Sequence, residues 1–552
     1  MKKNKQPFNK KYILSFVSCL TVCSSTLIGC DNTETATAPS NSSTAQAQDY
    51  SLPIVSDGSV TLTVATNDNY YTPKSYAQNL PVWQEIEKKT GVKIKWEVAP
   101  SSQYTNTINV RMAAAQGLPD LIRLPNDPVK PASDGLIIPM DDLIAKYAPN
   151  IRKYFSENPA IKKMMQAPDG KIYALSSDVS GTTSTDPFGL IINQTWLDKL
   201  GLKEPQTLDD WYTVLKAFKE KDPNGNGKQD EIPISTRFQV TNGSSISGLF
   251  LFGSAMGLHL NYSDGFYPDK NGKIQYEWID PRAKELVVWL NKLYKEGLID
   301  PQFMMKTDDD IISGISRNVI GVTNHFLNNA NRFTNAQKQA GIQNANWQMT
   351  LPPSGPGTKG FYEKYGPLSG WLAISKDCKN PEVAIKWLDY IYASEEGNRY
   401  VSFGIEGQSY KMVDGEPQFT EWTSKNPDGL DVNDALRSIG AMPVTVWIRS
   451  EKGPWSRQTK AVLNLLPDAV KQAEKLKDSG VDAIPLGLTS VEEVEATTAI
   501  NADIQTYKAE TLTKFITGQA PIDWEKYVST MKSMGINKLI EVKQKQYDRV
   551  MK

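Results

Sequence analysis

The chain has 552 residues, 61 Lys+Arg against 62 Asp+Glu and a formal charge of −1 at pH 7. That length excludes a single small module and buries more than one core. The balanced charge argues against nucleic acid as the main partner. The two histidines, His259 and His325, are too few for a multi-His metal centre.

Residues 1–29 read as an export signal. Lys2, Lys3, Lys5, Lys10 and Lys11 precede an apolar run from Tyr12 to Ile28 with no acid among them. Hydroxyl residues (Ser15, Ser18, Thr21, Ser24, Ser25, Thr26) interrupt that run, which disfavours a permanent span. It ends in Leu27-Ile28-Gly29-Cys30, similar to the lipobox of bacterial lipoproteins, and implies that Cys30 is acylated and becomes the first mature residue. Cys19 and Cys23 leave with the signal, so Cys378 remains as a lone thiol and no internal disulfide is expected. Removal of the signal takes five lysines and no carboxylate, leaving 56 basic and 62 acidic residues, a net charge of −6. Residues 30–58 contain the run DNTETATAPSNSSTAQAQ, without apolar periodicity, and read as a lipid-anchored flexible linker. A coil of that length spans roughly 30 Å. The expected location is extracytoplasmic, on the cell membrane, as a lipoprotein of Gram-positive type.

The body alternates strands and helices. Val60, Leu62 and Val64 alternate with threonines as a first strand, and a helix over Leu80–Lys89 stops at Gly91. Val92, Ile94 and Trp96 form a one-sided pattern suited to an edge strand. A helix over Tyr104–Gln116 leads to a third strand at Asp120–Leu124, giving β-α-β-α-β and a mainly parallel sheet. The pattern restarts at Leu190-Ile191-Ile192, with Thr207 and Asp210 as a capping-box start for a helix through Phe218. Trp83, Trp196, Trp211, Trp289 and Trp387 have apolar neighbours at helical spacing and are assigned to cores.

The segment Asp222-Pro-Asn224-Gly-Asn226-Gly-Lys228-Gln-Asp230-Glu231 has oxygen side chains at loop positions one, three, five and nine, glycine at six and a backbone carbonyl at seven. This is the first part of an EF-hand loop for calcium. Pro233 stands where the twelfth-position glutamate belongs, so Glu231 or a carboxylate from elsewhere would have to complete the shell. An Asn/Gly turn without metal is the alternative. Three carboxylates packed so closely repel one another without a cation, which favours Ca2+ held by Asp222, Asn224, Asn226, Lys228, Asp230 and Glu231.

Seven segments in order carry a resemblance: VWQEIEKKTGVKIKWEV with MAAAQGLPDLI, DGLIIPMDDLIAKYAPNI, LIINQTWLDKLGLKEPQTLDDWYTVLKAF, LNKLYKEGLIDPQF, AISKDCKNPEVAIKWLDYIYASEEG and TLTKFITGQAPIDWEKYV. Together they resemble the family 1 extracellular solute-binding proteins of bacterial ABC importers, of the maltose-binding and alginate-oligosaccharide-binding type. The resemblance implies an α/β, two-lobe periplasmic-binding-protein-like fold (type II) with the ligand cleft between lobes. It places lobe one at 59–190 plus 320–393 and lobe two at 191–319 plus 394–552. It implies a monomer that closes around segments near Leu190–Asn193 and Val319–Thr323, traps an oligosaccharide and delivers it to ABC permease subunits, with no ATPase motif of its own. It also implies a calcium away from the cleft, at the loop described above.

A sugar presents apolar C–H faces and many hydroxyls, which aromatic rings and amide or acidic side chains satisfy. The candidates by resemblance and position are Asn69, Tyr70 and Tyr71 after the first strand, Asn126 and Asp127 after the third, Asn324 and His325 after a crossing strand, and Trp371, Trp447, Arg449 and Trp455. Trp447 and Trp455 lack helical apolar spacing and lie among Gly, Pro, Arg and Ser, which favours exposure. Arg437 and Arg449 would serve a uronate as bidentate carboxylate partners. A secreted carbohydrate-active enzyme and a peptide or other small-solute receptor are the rival readings. The sequence has no G-x-S-x-G elbow, H-E-x-x-H pair or phosphate loop, and Cys378 lacks a histidine base nearby, so no catalytic residue is assigned.

Overall fold

The computed structural model describes residues 48–178, 187–236, 238–241, 244–364, 366–443, 445–446, 448, 461, 465 and 467–552. The signal, Cys30 and most of the linker lie outside them. Among the described residues no helix is long and apolar enough to cross a membrane.

Two sheets organise the chain. Their strands are β1 (Thr61–Asn67), β2 (Lys93–Ala99), β3 (Leu121–Leu124), β4 (Ala174–Asp178), β5 (Phe188–Asn193), β6 (Ile232–Ile234), β7 (Ile320–Phe326), β8 (Trp347–Met349) and β9 (Leu368–Ile374). The first sheet has the order β2-β1-β3-β9-β4, and the second β8-β5-β7-β6. As the one-sided pattern of Val92, Ile94 and Trp96 predicts, β2 is an edge strand, parallel to β1 with Val64 opposite Trp96. β3 is also parallel to β1.

The expectation of mainly parallel sheets is corrected beyond that point. β9 runs antiparallel to both β3 and β4, and β5 runs antiparallel to both β7 and β8. Only β6 and β7 are a parallel pair in the second sheet. The local β-α-β signal reports the connections of β1 to β3, but a strand returning from far along the chain enters in whichever direction its crossover allows.

The first sheet is covered on both faces. Leu62, Val64, Leu121, Leu372 and Ile374 pack into one core with Trp83, Trp96 and Trp387. Ala65, Ile122, Leu124 and Ala373, one residue out of phase, pack into the other with Tyr104 and Ile108. The Trp83 ring lies 4.8 Å from Trp96 and 6.2 Å from Trp387, contacts worth about 0.5–1.5 kcal/mol each beyond their buried area. Trp196 and Trp211 are buried in the core of the second sheet, while Trp289 is half-buried against Phe252 at 4.9 Å.

The cores group segments that are distant in sequence. β7 and β8 pair with β5, and Val322, Phe333 and Trp347 share the second sheet's core. Helices Pro381–Ala393 and Glu395–Phe403, with Leu436, Ile439, Ala441, Val446 and Ile448, pack on the first sheet's core. A strand's side chains follow its pairing partners, which the order of segments along the chain does not reveal. The two crossing segments become β5 and β7, antiparallel neighbours with Ile192 opposite Val322.

The linker is also shorter than its composition predicts. Gln48 donates its backbone N–H to Lys146 O at 2.7 Å, Arg152 bonds Asp49 at 2.8 Å, and Tyr50 donates its hydroxyl to buried Asp389 at 3.0 Å. Farther on, Val55 N–H bonds Thr90 O at 3.1 Å, closing over Gly91. Gly91 has φ 67° and caps helix Pro81–Thr90, and a Cβ there would meet Val55 O at 1.8 Å, so only glycine fits.

Two C-terminal helices complete the second half. Val491–Thr517 starts at a Ser490/Glu493 capping box and packs on helix Pro281–Lys295, where Asn291 bonds Phe515 O at 2.8 Å. Ile536–Met551 runs against it and reaches the first half at Val550, whose carbonyl accepts from Lys163 at 3.2 Å.

Cys378 is half-buried beside Asp120. Burial, then the Asp120 charge, pushes its thiol up to about 12. At pH 8 iodoacetamide should therefore alkylate the native protein roughly fifty-fold more slowly than the urea-unfolded chain, whose thiol has a pKa of about 8.5 but whose thiolate is less nucleophilic. Equal rates, read by mass spectrometry, would show the thiol to be exposed.

Candidate ligand cleft and metal loop

A cleft of about 1120 Å3 opens between the two halves. One wall follows from strand direction. β3 ends at Leu124, and antiparallel β9 sets Trp371 opposite it, so Asn126, Asp127 and Trp371 meet at one edge of the first sheet. The other wall is the loop Tyr262-Ser263-Asp264 with Phe266, together with Thr497 and Asn501 from helix Val491–Thr517 and Lys543 and Gln546 from helix Ile536–Met551.

The loop in the second wall is held by buried carboxylates. Glu363 accepts from the backbone N–H groups of Asn261 at 2.7 Å and Ser263 at 2.8 Å. Glu277 accepts from His259 N–H at 2.5 Å, and the His259 ring stacks on Tyr267 with centroids 3.3 Å apart. Asp264, left-handed at φ 49°, accepts from Lys508 at 2.5 Å and from Gln505 at 2.6 Å. Lys508 is fully buried, so this ion pair is internal to the wall.

The two walls also touch one another directly. Thr489 donates its hydroxyl to Asp127 at 3.3 Å, and Val129 and Ala167 pack against Leu488. Burial raises the pKa of Asp127, opposed by bonds from Val129 N–H and Thr489. Burial lowers that of Lys543, opposed by the charge of Asp264.

The sequence-derived site residues divide into three groups. Asn126, Asp127 and Trp371 line the cleft. Asn69, Tyr70, Tyr71, Asn324 and His325 do not line it. Buried Asn69 ties its own loop, donating to Arg437 O at 2.9 Å and accepting from Tyr71 N–H at 3.3 Å. Tyr70 is 56 % exposed beneath the Arg437 guanidinium, which pairs with Asp434 at 3.1 Å. Asn324 is buried against Gly248, where an added Cβ would meet its Oδ1 at 2.3 Å. His325 accepts from Phe326 N–H at 2.9 Å among the rings of Phe188 and Phe333. Trp447, Arg449 and Trp455 lie outside the described residues. Ser263, Asp264, Lys543 and Gln546 also line the cleft but carry no signal in the sequence, because each sits in an ordinary helix or turn and only the tertiary fold brings them together.

At the metal loop, Asp222 adopts a left-handed conformation (φ 45°), and its carboxylate accepts from Gly225, Asn226 and Gly227 N–H at 2.8–3.1 Å. Asn224 and Asn226 turn their amides to Asp230 at 2.9–3.1 Å. Glu231 is buried, and its Oε1 has no hydrogen-bond partner. Burial and then the charges of Asp222 and Asp230 raise its pKa. Among the described residues no three His, Cys, Asp or Glu side chains converge at metal-binding distance. The donor chemistry nevertheless fits a hard cation: carboxylates, amide oxygens and the Lys228 carbonyl on one loop, with an orphaned buried carboxylate oxygen beside it.

The comparisons with known proteins agree with this architecture. The fructooligosaccharide ABC transporter substrate-binding protein FusA of Streptococcus pneumoniae serotype 4 (strain TIGR4) is 28% identical over 98% of both chains. The crystal structure of alginate-binding protein AlgQ2 without calcium ion superposes with a TM-score of 0.67 at 24% identity, over 90% of this chain and 99% of that one. The S. pneumoniae FusA EF-hand mutant in complex with fructo-nystose superposes with a TM-score of 0.70 at 24% identity, over 89% and 99%. Residues 69–398, more than half of the chain, match the family described as bacterial extracellular solute-binding protein, and the chain belongs to that family.

Proposed function

We propose that this protein is the substrate-binding component of an ABC importer, which captures an oligosaccharide by lobe closure and delivers it unaltered to a permease. The observation that carries the reading is the cleft itself, with one wall at the edge of the first sheet and the other made by the 262–266 loop and the two C-terminal helices. A ligand touching both walls stabilises the closed arrangement by its differential affinity for it. FusA, named for fructooligosaccharide, supports the ligand class. A binding rather than catalytic role is favoured because Asp264 is already engaged by Lys508 and Gln505. The lipid anchor at Cys30 rests on the lipobox. We take lobe one as the first sheet with residues 381–448, and lobe two as the second sheet with the C-terminal helices.

A thermal-shift screen of the purified protein against fructo-, gluco- and galacto-oligosaccharides, hexuronate oligomers and peptides tests the ligand class. Ligand at 100 times its Kd adds about 2.7 kcal/mol of stability. A shift with saccharides alone is the expected result, and a shift with peptides alone would overturn it.

Calcium at the Asp222–Glu231 loop belongs to the same proposal, supported by the orphaned Glu231 oxygen and by the calcium and EF-hand of the named relatives. The bound ion would neutralise Asp222, Asp230 and Glu231 and fix the loop. Chelator-stripped protein should melt lower and recover on adding Ca2+ but not Na+, and Glu231→Gln should weaken calcium binding measured by titration calorimetry by about tenfold. An unchanged melting temperature and no calcium heat would refute the site.

A further inference from the structure

The second wall of the cleft has polar groups that the protein itself leaves unsatisfied. Ser263 and Gln546, 6 % and 8 % exposed, both line the cleft. The Gln546 amide donates to Gly487 O at 2.9 Å, but its Oε1 has no partner. The Ser263 hydroxyl also has none, although its backbone N–H is fixed by Glu363. Buried polar atoms left in this state cost free energy until a ligand or water satisfies them.

Half-buried Lys543 stands one helical turn before Gln546, on the same face. No carboxylate lies within ion-pair distance of it among the described residues, and its recorded contact is the Phe266 ring at 5.9 Å. The nearest acid in the wall, Asp264, is neutralised by Lys508. On the opposite wall Lys130 is paired with Asp134. The second wall therefore carries an ammonium with no ion-pair partner among the described residues, in the same cleft as a hydroxyl that can donate and an amide oxygen that can only accept.

We infer that Ser263, Lys543 and Gln546 form a subsite for an acidic sugar unit, with the ligand carboxylate on Lys543 and the Ser263 hydroxyl and a ring hydroxyl donating to Gln546 Oε1. The inference rests on the oligosaccharide reading and narrows it. It also replaces Arg437, which is paired with Asp434 and does not line the cleft, as the carboxylate partner.

The test is titration calorimetry of the whole mature protein with galacturonate, mannuronate and glucuronate trisaccharides, each as the free acid and as its neutral methyl ester, alongside kestose. At least one acid should bind about tenfold or more tighter than its own ester. Lys543→Gln should bring that ratio to within about twofold with an unchanged melting temperature, while Lys543→Arg retains it. Ser263→Ala should reduce the ratio, because the hydroxyl no longer donates to the carboxylate. Esters that bind as well as acids, or a Lys543→Gln variant that keeps the preference, would overturn the subsite and leave the oligosaccharide reading standing. Binding of kestose alone would do the same. No binding of any saccharide would overturn both.

Discussion

Replacing Asp264 with alanine is expected to lower the unfolding free energy by about 3–5 kcal/mol, because it leaves the ammonium of Lys508 buried and unpaired. Lys508 is fully buried on helix Val491–Thr517, and the same carboxylate also accepts from Gln505, so two donors lose their partner at once. Lys508→Met alone should also destabilise, leaving Asp264 with only Gln505. The double variant Asp264→Ala with Lys508→Met removes both charges, and it should recover part of the loss, since no unpaired buried charge is left. Urea midpoints for the four proteins decide the matter. Additive losses in the double variant would mean that the two side chains act independently and that the pair is not what holds this wall.

Trp371→Ala should weaken oligosaccharide binding by about 2–3 kcal/mol, or roughly 30- to 150-fold in Kd. Trp371 is half-buried on β9, opposite Leu124, and lines the cleft beside Asn126 and Asp127. A flat ring in that position offers the C–H face of a sugar a desolvated platform, which alanine cannot. Its edge also packs near Leu488 and Val129, so some stability is lost as well. Trp371→Phe retains a ring and should recover most of the affinity. Titration calorimetry reads the difference, and an alanine variant with wild-type Kd would move the ligand away from this edge.

Features encoded by neighbours in sequence were legible. The edge character of β2, the glycine stop at Gly91, the Thr207/Asp210 capping box and the Asp222–Glu231 loop each depend on residues within a dozen positions of one another. Asn126, Asp127 and Trp371 line the cleft, as expected of residues at strand ends in an open α/β sheet. The same rule also nominates Asn69, whose side chain is instead consumed in a bond to Arg437 O, 368 residues away. Nor could it reveal the second wall. Ser263, Asp264, Lys508, Lys543 and Gln546 span nearly 300 residues, and in sequence the lysines look like any solvated helix positions. The length of the linker was misjudged for a related reason. Tyr50, in a polar tract, is held by Asp389, a buried partner far along the chain.

Native mass spectrometry of the purified protein, incubated with an oligosaccharide mixture and then desalted, tests the central claim most directly. The account predicts one adduct per chain whose mass equals that of an intact oligosaccharide and stays constant over hours. An adduct of cleaved product, or no saccharide adduct at concentrations that saturate FusA-like binders, would contradict it.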